Sequence, residues 1–208
     1  MTGAGMERTL KIGVLALQGA FSEHIDRLRE LDVQAGEVRL PQDLQGIDGL
    51  IIPGGESTTI GKLVASFGLM EPIRRFAAEN AVWGTCAGII LMAKRIEQGQ
   101  PVLGLMNIAV ERNAFGRQID SFEENLAVAV LKGGAACPFP GIFIRAPRLV
   151  EVRRPAQVLA RLEDGTAVAA VEGKWLVTGF HPELSRDLRF HQYFMEMVRS
   201  GSRQGGHG

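Results

Sequence analysis

The sequence predicts an α/β fold, a single domain on a mostly parallel sheet with helices on both faces and some antiparallel strands in the C-terminal half. Three observations carry this. Apolar segments alternate with helical patterns through the first hundred residues, which is how a parallel sheet is wound. The apolar segments are continuous rather than alternating, as in strands covered on both faces. From about Val102 to Val177 the texture changes to short apolar segments separated by turn residues, with little helical periodicity.

Residues 11–17 read as the first buried strand. Ser22 can cap a helix in which Ile25, Leu28 and Leu31 recur at helical spacing among charges. Residues 33–40 form a weaker strand, and residues 49–52 a third, ended by Pro53-Gly54-Gly55. Helical stretches follow at 60–67 and 71–79, then a strand at 82–84 and a helix after Cys86 running through Ile96. Strands are expected at 126–131, 141–144, 158–162, 167–171 and 174–180. A final helix at about 187–198 turns Leu188, Phe194, Met195 and Val198 inward.

The 208 residues, 46% of them hydrophobic, suit one large domain over residues 10–199, with a flexible leader (1–9) and tail (200–208). Lys plus Arg equals Asp plus Glu at 23 each. That balance argues against nucleic acid or an anionic membrane as the main partner and is compatible with a stable protein partner. Two cysteines without paired C-x-x-C spacing build neither a disulfide framework nor a metal site, so a reducing, cytoplasmic setting is expected. The apolar run 12–17 is too short to span a membrane or to act as a signal peptide.

Cys86 lies between two glycines, in Gly84-Thr85-Cys86-Ala87-Gly88, with apolar runs on both sides. This is the layout of a nucleophile elbow, where a buried strand turns sharply into a helix and exposes the thiol at the bend. The glycines let the backbone turn without a clash, and the helix N-terminus favours the thiolate. The bland reading is a small residue packed at a strand–helix junction. With 26 Gly and two Cys in the chain, such flanking arises by chance in about a few per cent of cases.

A catalytic cysteine needs a base. Of the four histidines, His207 lies in the tail, and His24 and His191 on predicted helices near charges read as solvated positions. His181 closes a strongly apolar strand and precedes Pro182 and Glu183. Proline holds His181 extended, so His181 and Glu183 project to one side. There the carboxylate can hold the imidazole in the tautomer that accepts a thiol proton. The competing reading is a strand-end histidine followed by a helix-capping acid. The ends of the first strand (Gln18-Gly19), the third (residues 54–57) and the elbow strand would share one rim, where ligands of open α/β sheets sit.

These residues resemble the triad (class I) glutamine amidotransferases, whose Cys-His-Glu domain is a flavodoxin-like three-layer sandwich. Further segments match: Leu17-Gln18-Gly19-Ala20, Pro53-Gly54-Gly55-Glu56-Ser57-Thr58-Thr59, residues 110–118, residues 120–123 and Phe143-Ile144-Arg145-Ala146-Pro147. Within that class they resemble the glutaminase subunits of pyridoxal 5′-phosphate synthases, over about residues 10–198. The resemblance implies hydrolysis of L-glutamine with Cys86 as nucleophile, His181 as base and Glu183 as its orienter. It implies glutamine binding by Gly55, Glu56, Ser57, Arg112, Ile144 and Arg145. Oxyanion donors are expected from Ala87 and from Gly54 or Gly55. No metal or organic cofactor is implied, and ammonia would pass to a (β/α)8-barrel synthase subunit. The first helix is the expected docking element.

Competing readings are a glutaminase serving another synthase, such as imidazole-glycerol-phosphate synthase, a redox-sensing α/β protein, or a cysteine peptidase of similar fold. Cys137, in a Gly/Ala/Pro-rich loop, reads as incidental.

Overall fold

The computed structural model describes residues 9–97, 99–112 and 121–204. Most of the 110–118 segment singled out above therefore lies outside the described residues. The first half runs β1 (Lys11–Leu15), α1 (Phe21–Arg29), β2 (Gln34–Val38), β3 (Gly49–Ile52), α2 (Ser57–Ser66), α3 (Met70–Glu79), β4 (Ala81–Thr85) and α4 (Ala87–Met92). The second half supplies β5 (Ala93–Ile96), β6 (Met106–Glu111), β7 (Ser121–Leu126), β8 (Phe139–Ile144), β9 (Arg148–Val152), β10 (Gln157–Arg161), β11 (Ala167–Glu172), β12 (Trp175–Thr178) and α5 (Arg189–Gln204).

The large sheet has the order β2-β1-β3-β4-β12-β11-β9-β6-β5, with β10 paired to β11, and β7 and β8 pair separately. The segment from β2 to β12 is parallel throughout. Antiparallel joints appear at β12/β11, β11/β9, β9/β6 and β10/β11. The flavodoxin-like class, with a largely parallel centre and antiparallel additions, is therefore the one the sequence predicts.

Successive residues of a strand face opposite ways, and here both ways lead into core. Ile52 packs with Ile60, Val64, Ile73 and Ile89 on one face, and its neighbour Ile51 with Ile25, Leu28, Trp83 and Phe194 on the other. That double burial is why the strand segments are continuously apolar.

Four local expectations are corrected. The N-cap of α1 is Ala20, without a side-chain hydrogen bond, and Ser22 lies inside the helix. The helix after Cys86 stops at Met92, and residues 93–96 join β6 as β5. Ala93-Lys94-Arg95-Ile96 carries no pattern of its own that distinguishes strand from a continued helix, and pairing with β6 decides it. The strand expected at 126–131 ends at Leu126, the last residue that pairs with β8. Finally, α5 continues to Gln204, past the Ser200 where the tail was expected to begin.

Candidate active site

The elbow sits where the sequence places it, at the end of β4. Cys86 has φ 45° and ψ −109° and is 6% exposed, with its N–H donated to the Thr178 carbonyl of β12 at 2.8 Å. The flanking glycines do not supply the unusual dihedral; Cys86 itself carries it, at a cost that persists only where the surroundings enforce it. The glycines supply close approach instead. A Cβ on Gly88 would lie 2.2 Å from the Ile52 carbonyl oxygen, and one on Gly84 would lie 2.8 Å from that of Gly88.

His181 follows β12, and its N–H is donated to the Ile142 carbonyl of β8 at 2.8 Å. Its Nδ1 lies 2.6 Å from Oε1 of Glu183, which is buried in a 3-10 turn over Pro182–Leu184. Proline makes this tight turn and brings the carboxylate back onto the ring. With Nδ1 so engaged, Nε2 is left for Cys86. Burial works against a charged ring at His181. Hydrogen bonds and charge interactions with Cys86 and Glu183 outweigh it and raise the pKa from 6.5 to about 10. His181 is thus a strong acceptor for the Cys86 proton.

The end of β3 closes over this pair. A Cβ on Gly54 would stand 2.7 Å from His181 Cε1 and 3.1 Å from Cys86 Cβ, so only glycine fits between them. Its N–H is donated to Thr85 Oγ1 at 3.1 Å, and its carbonyl accepts from Ala20 N–H at 3.1 Å. The Gly54 N–H expected as one oxyanion donor is therefore engaged elsewhere. Across a trans peptide the Gly55 N–H points opposite to the Gly54 carbonyl, away from Ala20. Ala87 opens α4, where the first N–H groups have no acceptor inside the helix.

A cavity of about 330 Å³ opens beside the thiol, within the range of small-ligand pockets. Its wall contains Gly55, Glu56, Ser57, Cys86, Ala87, Arg112, Ile144, Arg145 and His181, all residues expected at the site. Glu183 and Gly54 stand behind that wall. Gln18, Ile90 and Pro147 also line it. Gln18 could have been promoted from a rim residue by its position after the first strand; its Oε1 accepts the Glu56 N–H at 2.8 Å. Cys86 Sγ lies 3.8 Å from the Ile144 carbonyl. Arg145 is exposed, with φ 43°, a second non-glycine residue at the site in a disfavoured conformation.

Glu56 caps α2. Its carboxylate accepts from Thr58 N–H at 3.0 Å, Thr59 N–H at 2.7 Å and Thr59 Oγ1 at 2.6 Å. Arg112 Nη2 donates to Ser57 Oγ and, at 2.8 Å, to Thr58 Oγ1, and lies 3.2 Å from Glu56 Oε1. The Thr59 hydroxyl, then, against an opposing effect of burial, the Thr59 and Thr58 N–H groups, hold the Glu56 carboxyl at about 2, below the usual 4.5. Glu56→Ala is expected to cost about 1 kcal/mol, lowering Tm by about 2–4 °C. A depressed carboxylate stabilises above its unfolded value and loses that contribution as pH falls toward about 2. The Tm gap between native and variant should therefore narrow in melts taken from about pH 6 down to about pH 3. A gap constant over that range would show that the carboxylate does not hold the helix.

Two readings of the sequence are overturned. His24 and His191 are not solvated; both are fully buried. The missed signal was spacing. His24 lies one turn before Leu28 on the buried stripe of α1, and His191 lies three and four residues before the buried Phe194 and Met195. Thr85, read only as part of the elbow, is also fully buried and joins them. Cys137 is exposed and, like Cys86, is a free thiol.

An elbow cysteine, a histidine and a carboxylate meet on the C-terminal rim of this sheet, in the arrangement expected of an α/β amidotransferase. The profile of the SNO glutamine amidotransferase family matches residues 14–200, and the chain belongs to that family. It is 56% identical over 191 residues to the pyridoxal 5′-phosphate synthase subunit PdxT of Herpetosiphon aurantiacus, covering 89% of this chain and 99% of that one. The PdxT of Dehalococcoides mccartyi is 54% identical over 194 residues, covering 91% and 98%. Among solved structures, one described as a glutamine amidotransferase superposes with a TM-score of 0.85 at 48% identity, over 90% of this chain and 98% of that one. A PurLQS structure from Thermotoga maritima, at 16% identity and TM-score 0.70 over 91% and 99%, shares the fold.

Proposed function

We propose that this chain hydrolyses L-glutamine to glutamate and ammonia and delivers the ammonia to the synthase subunit that builds pyridoxal 5′-phosphate. The observation that carries the reading is His181, held by Glu183 through Nδ1 at 2.6 Å and sharing the wall of a cavity of about 330 Å³ with the Cys86 thiol. High identity to PdxT chains over nearly their whole length supports the substrate and the recipient.

His181 takes the Cys86 proton, and the sulfur forms a bond to the side-chain amide carbon. The C–N bond then breaks as His181 returns the proton to the departing ammonia, leaving a glutamyl thioester. Water, deprotonated by His181, hydrolyses the thioester and regenerates the thiol. Gly55 and Ala87 N–H groups are the oxyanion donors on this reading, held without reorganisation at the moment of reaction. Gly55, Glu56, Ser57, Arg112, Ile144 and Arg145 bind the amino-acid end. The Arg112 guanidinium is engaged by Ser57, Thr58 and Glu56. Arg145 makes no ion pair among the described residues and is the better match for the substrate α-carboxylate.

Ammonia released into water is protonated and loses its lone pair, so a direct recipient matters. The recipient is read as a (β/α)8-barrel subunit docking beside α1, and the setting as the cytoplasm. No helix among the described residues is long and apolar enough to cross a membrane. The test is ammonia release from glutamine, with and without a pyridoxal 5′-phosphate synthase barrel subunit. Turnover strongly raised by that subunit is expected. Turnover raised only by a different synthase, or peptide cleavage without glutamine turnover, would sink the assignment.

A further inference from the structure

Alternation along β4 turns Trp83 and Thr85 to the face covered by α1 and α5, and a polar chain runs through that otherwise apolar layer. His24 of α1 lies with Nε2 3.2 Å from Thr85 Oγ1 and 3.3 Å from Glu183 Oε2, and with Nδ1 3.0 Å from His191 Nε2 of α5. Glu183 uses Oε1 for His181, and its buried Oε2 has no well-aligned hydrogen bond. His24 Nε2 faces it at 3.3 Å. Thr85 Oγ1 in turn accepts the Gly54 N–H. One side chain thus contacts the carboxylate behind His181 and, through Thr85, reaches the loop beside Cys86. A buried carboxylate oxygen left with no donor is costly, so the site gains from a histidine here.

We propose that His24 is a positioning residue whose Nε2–H, shared between Glu183 Oε2 and Thr85 Oγ1, holds Glu183 and, through Thr85, the Gly54–Gly55 loop. This rests on the glutaminase reading above. Burial, then His191 and His181, keep His24 neutral, with a pKa well below 6.5. A neutral imidazole has one N–H, and the anionic Glu183 oxygen requires it on Nε2, since a lone pair there would be repelled. Nδ1 then accepts from His191 Nε2–H. The buried, unpartnered His191 Nδ1 is accordingly a lone pair, less costly to strand than an N–H. Burial, then Arg27, lowers His191 to about 3, so it too is neutral. The groups facing this chain are His181, Glu183, Thr85, Trp83 and His191, with Arg27 Nε donating to the Glu183 carbonyl at 3.0 Å.

The test compares His24→Asn with His24→Gln, whose amide nitrogen can reach the place of Nε2. Both are made in a Cys137→Ser background, so that iodoacetamide alkylation reports on Cys86. With the barrel subunit present, His24→Asn should lower kcat about 10- to 100-fold with KM within about threefold. In the isolated chain, the onset of Cys86 alkylation should move to higher pH by about half a unit or more, because a loosened Glu183 stabilises the imidazolium less. His24→Gln should restore both readouts to near native. Thr85→Val, which cuts only the branch to Gly54, should lower kcat while leaving the alkylation profile unchanged. Native kcat and alkylation in folded His24→Asn, or a folded His24→Gln as impaired as His24→Asn, overturns the proposal. If neither His24 variant folds, native kcat in Thr85→Val overturns it. Failure of the glutaminase reading would show separately, as no ammonia from the native protein, while alkylation still reports the coupling.

Discussion

Cys86→Ala is expected to abolish ammonia release from glutamine, by about 10³-fold or more even with the barrel subunit present. The thiol sits at the cavity wall beside His181, and no other described residue offers sulfur there. The variant should fold, because its methyl group fits where the thiol stood. The strained backbone gives a second, independent expectation. Cys86 holds φ 45° and ψ −109°, a conformation glycine adopts without penalty. Cys86→Gly should therefore be equally inactive yet melt above Cys86→Ala, by the equivalent of about 1 kcal/mol. Ammonia release and thermal melts check both. Comparable ammonia release from Cys86→Ala would remove Cys86 from the mechanism, and a lower melt for Cys86→Gly would remove the strain argument.

Gly19→Ala is expected to lower kcat about 100- to 1,000-fold, the effect of losing an oxyanion donor, while the sheet stays folded. Gly19 has φ 97°, and a Cβ there would lie 1.8 Å from the Gly54 carbonyl oxygen. Both partners are backbone, so one loop must move. The loop able to move carries Gly54 and Gly55, and its displacement turns the Gly55 N–H out of place. Gly36→Ala is the control: it meets nothing within 4 Å and should leave turnover native. Steady-state kinetics with the barrel subunit and circular dichroism separate loss of activity from loss of fold. A native kcat in folded Gly19→Ala would show that this loop does not carry the oxyanion.

Much of the molecule was legible in sequence because its signals are local. Strands buried on both faces show as continuous apolar runs, as at Gly49–Ile52. The elbow is written in three positions, since the close approaches of Gly84 and Gly88 each exclude a side chain. Glu183 is two residues from the histidine it contacts, across a proline. The residues expected to bind substrate did converge on one cavity wall: Gly55, Glu56 and Ser57 follow β3, which ends beside β4, whereas Arg112 arrives from the end of β6 and Ile144 and Arg145 from the end of β8 in the separate small sheet.

What failed needed distant partners. Residues 93–96 became a strand because β6 offered an edge, although the sequence alone, Ala-Lys-Arg-Ile after an apolar helix, read as its continuation. His24 and His191 looked solvated because their sequence neighbours are charged, yet two helices 167 positions apart bring them within 3.0 Å inside the core. Glu56 looked like a substrate ligand alone and turned out also to cap α2.

The sequence by itself determined the fold class, the elbow cysteine and its histidine–glutamate pair, since each depends on spacing within a short stretch of chain. Only the tertiary structure decided which groups stand behind that pair. The Glu183–His24–His191 chain and the Thr85–Gly54 link cross between α1, α5, β4 and the end of β3. Buried polar groups take their partners from whatever packing brings near, and packing is set by the whole sheet rather than by any one segment.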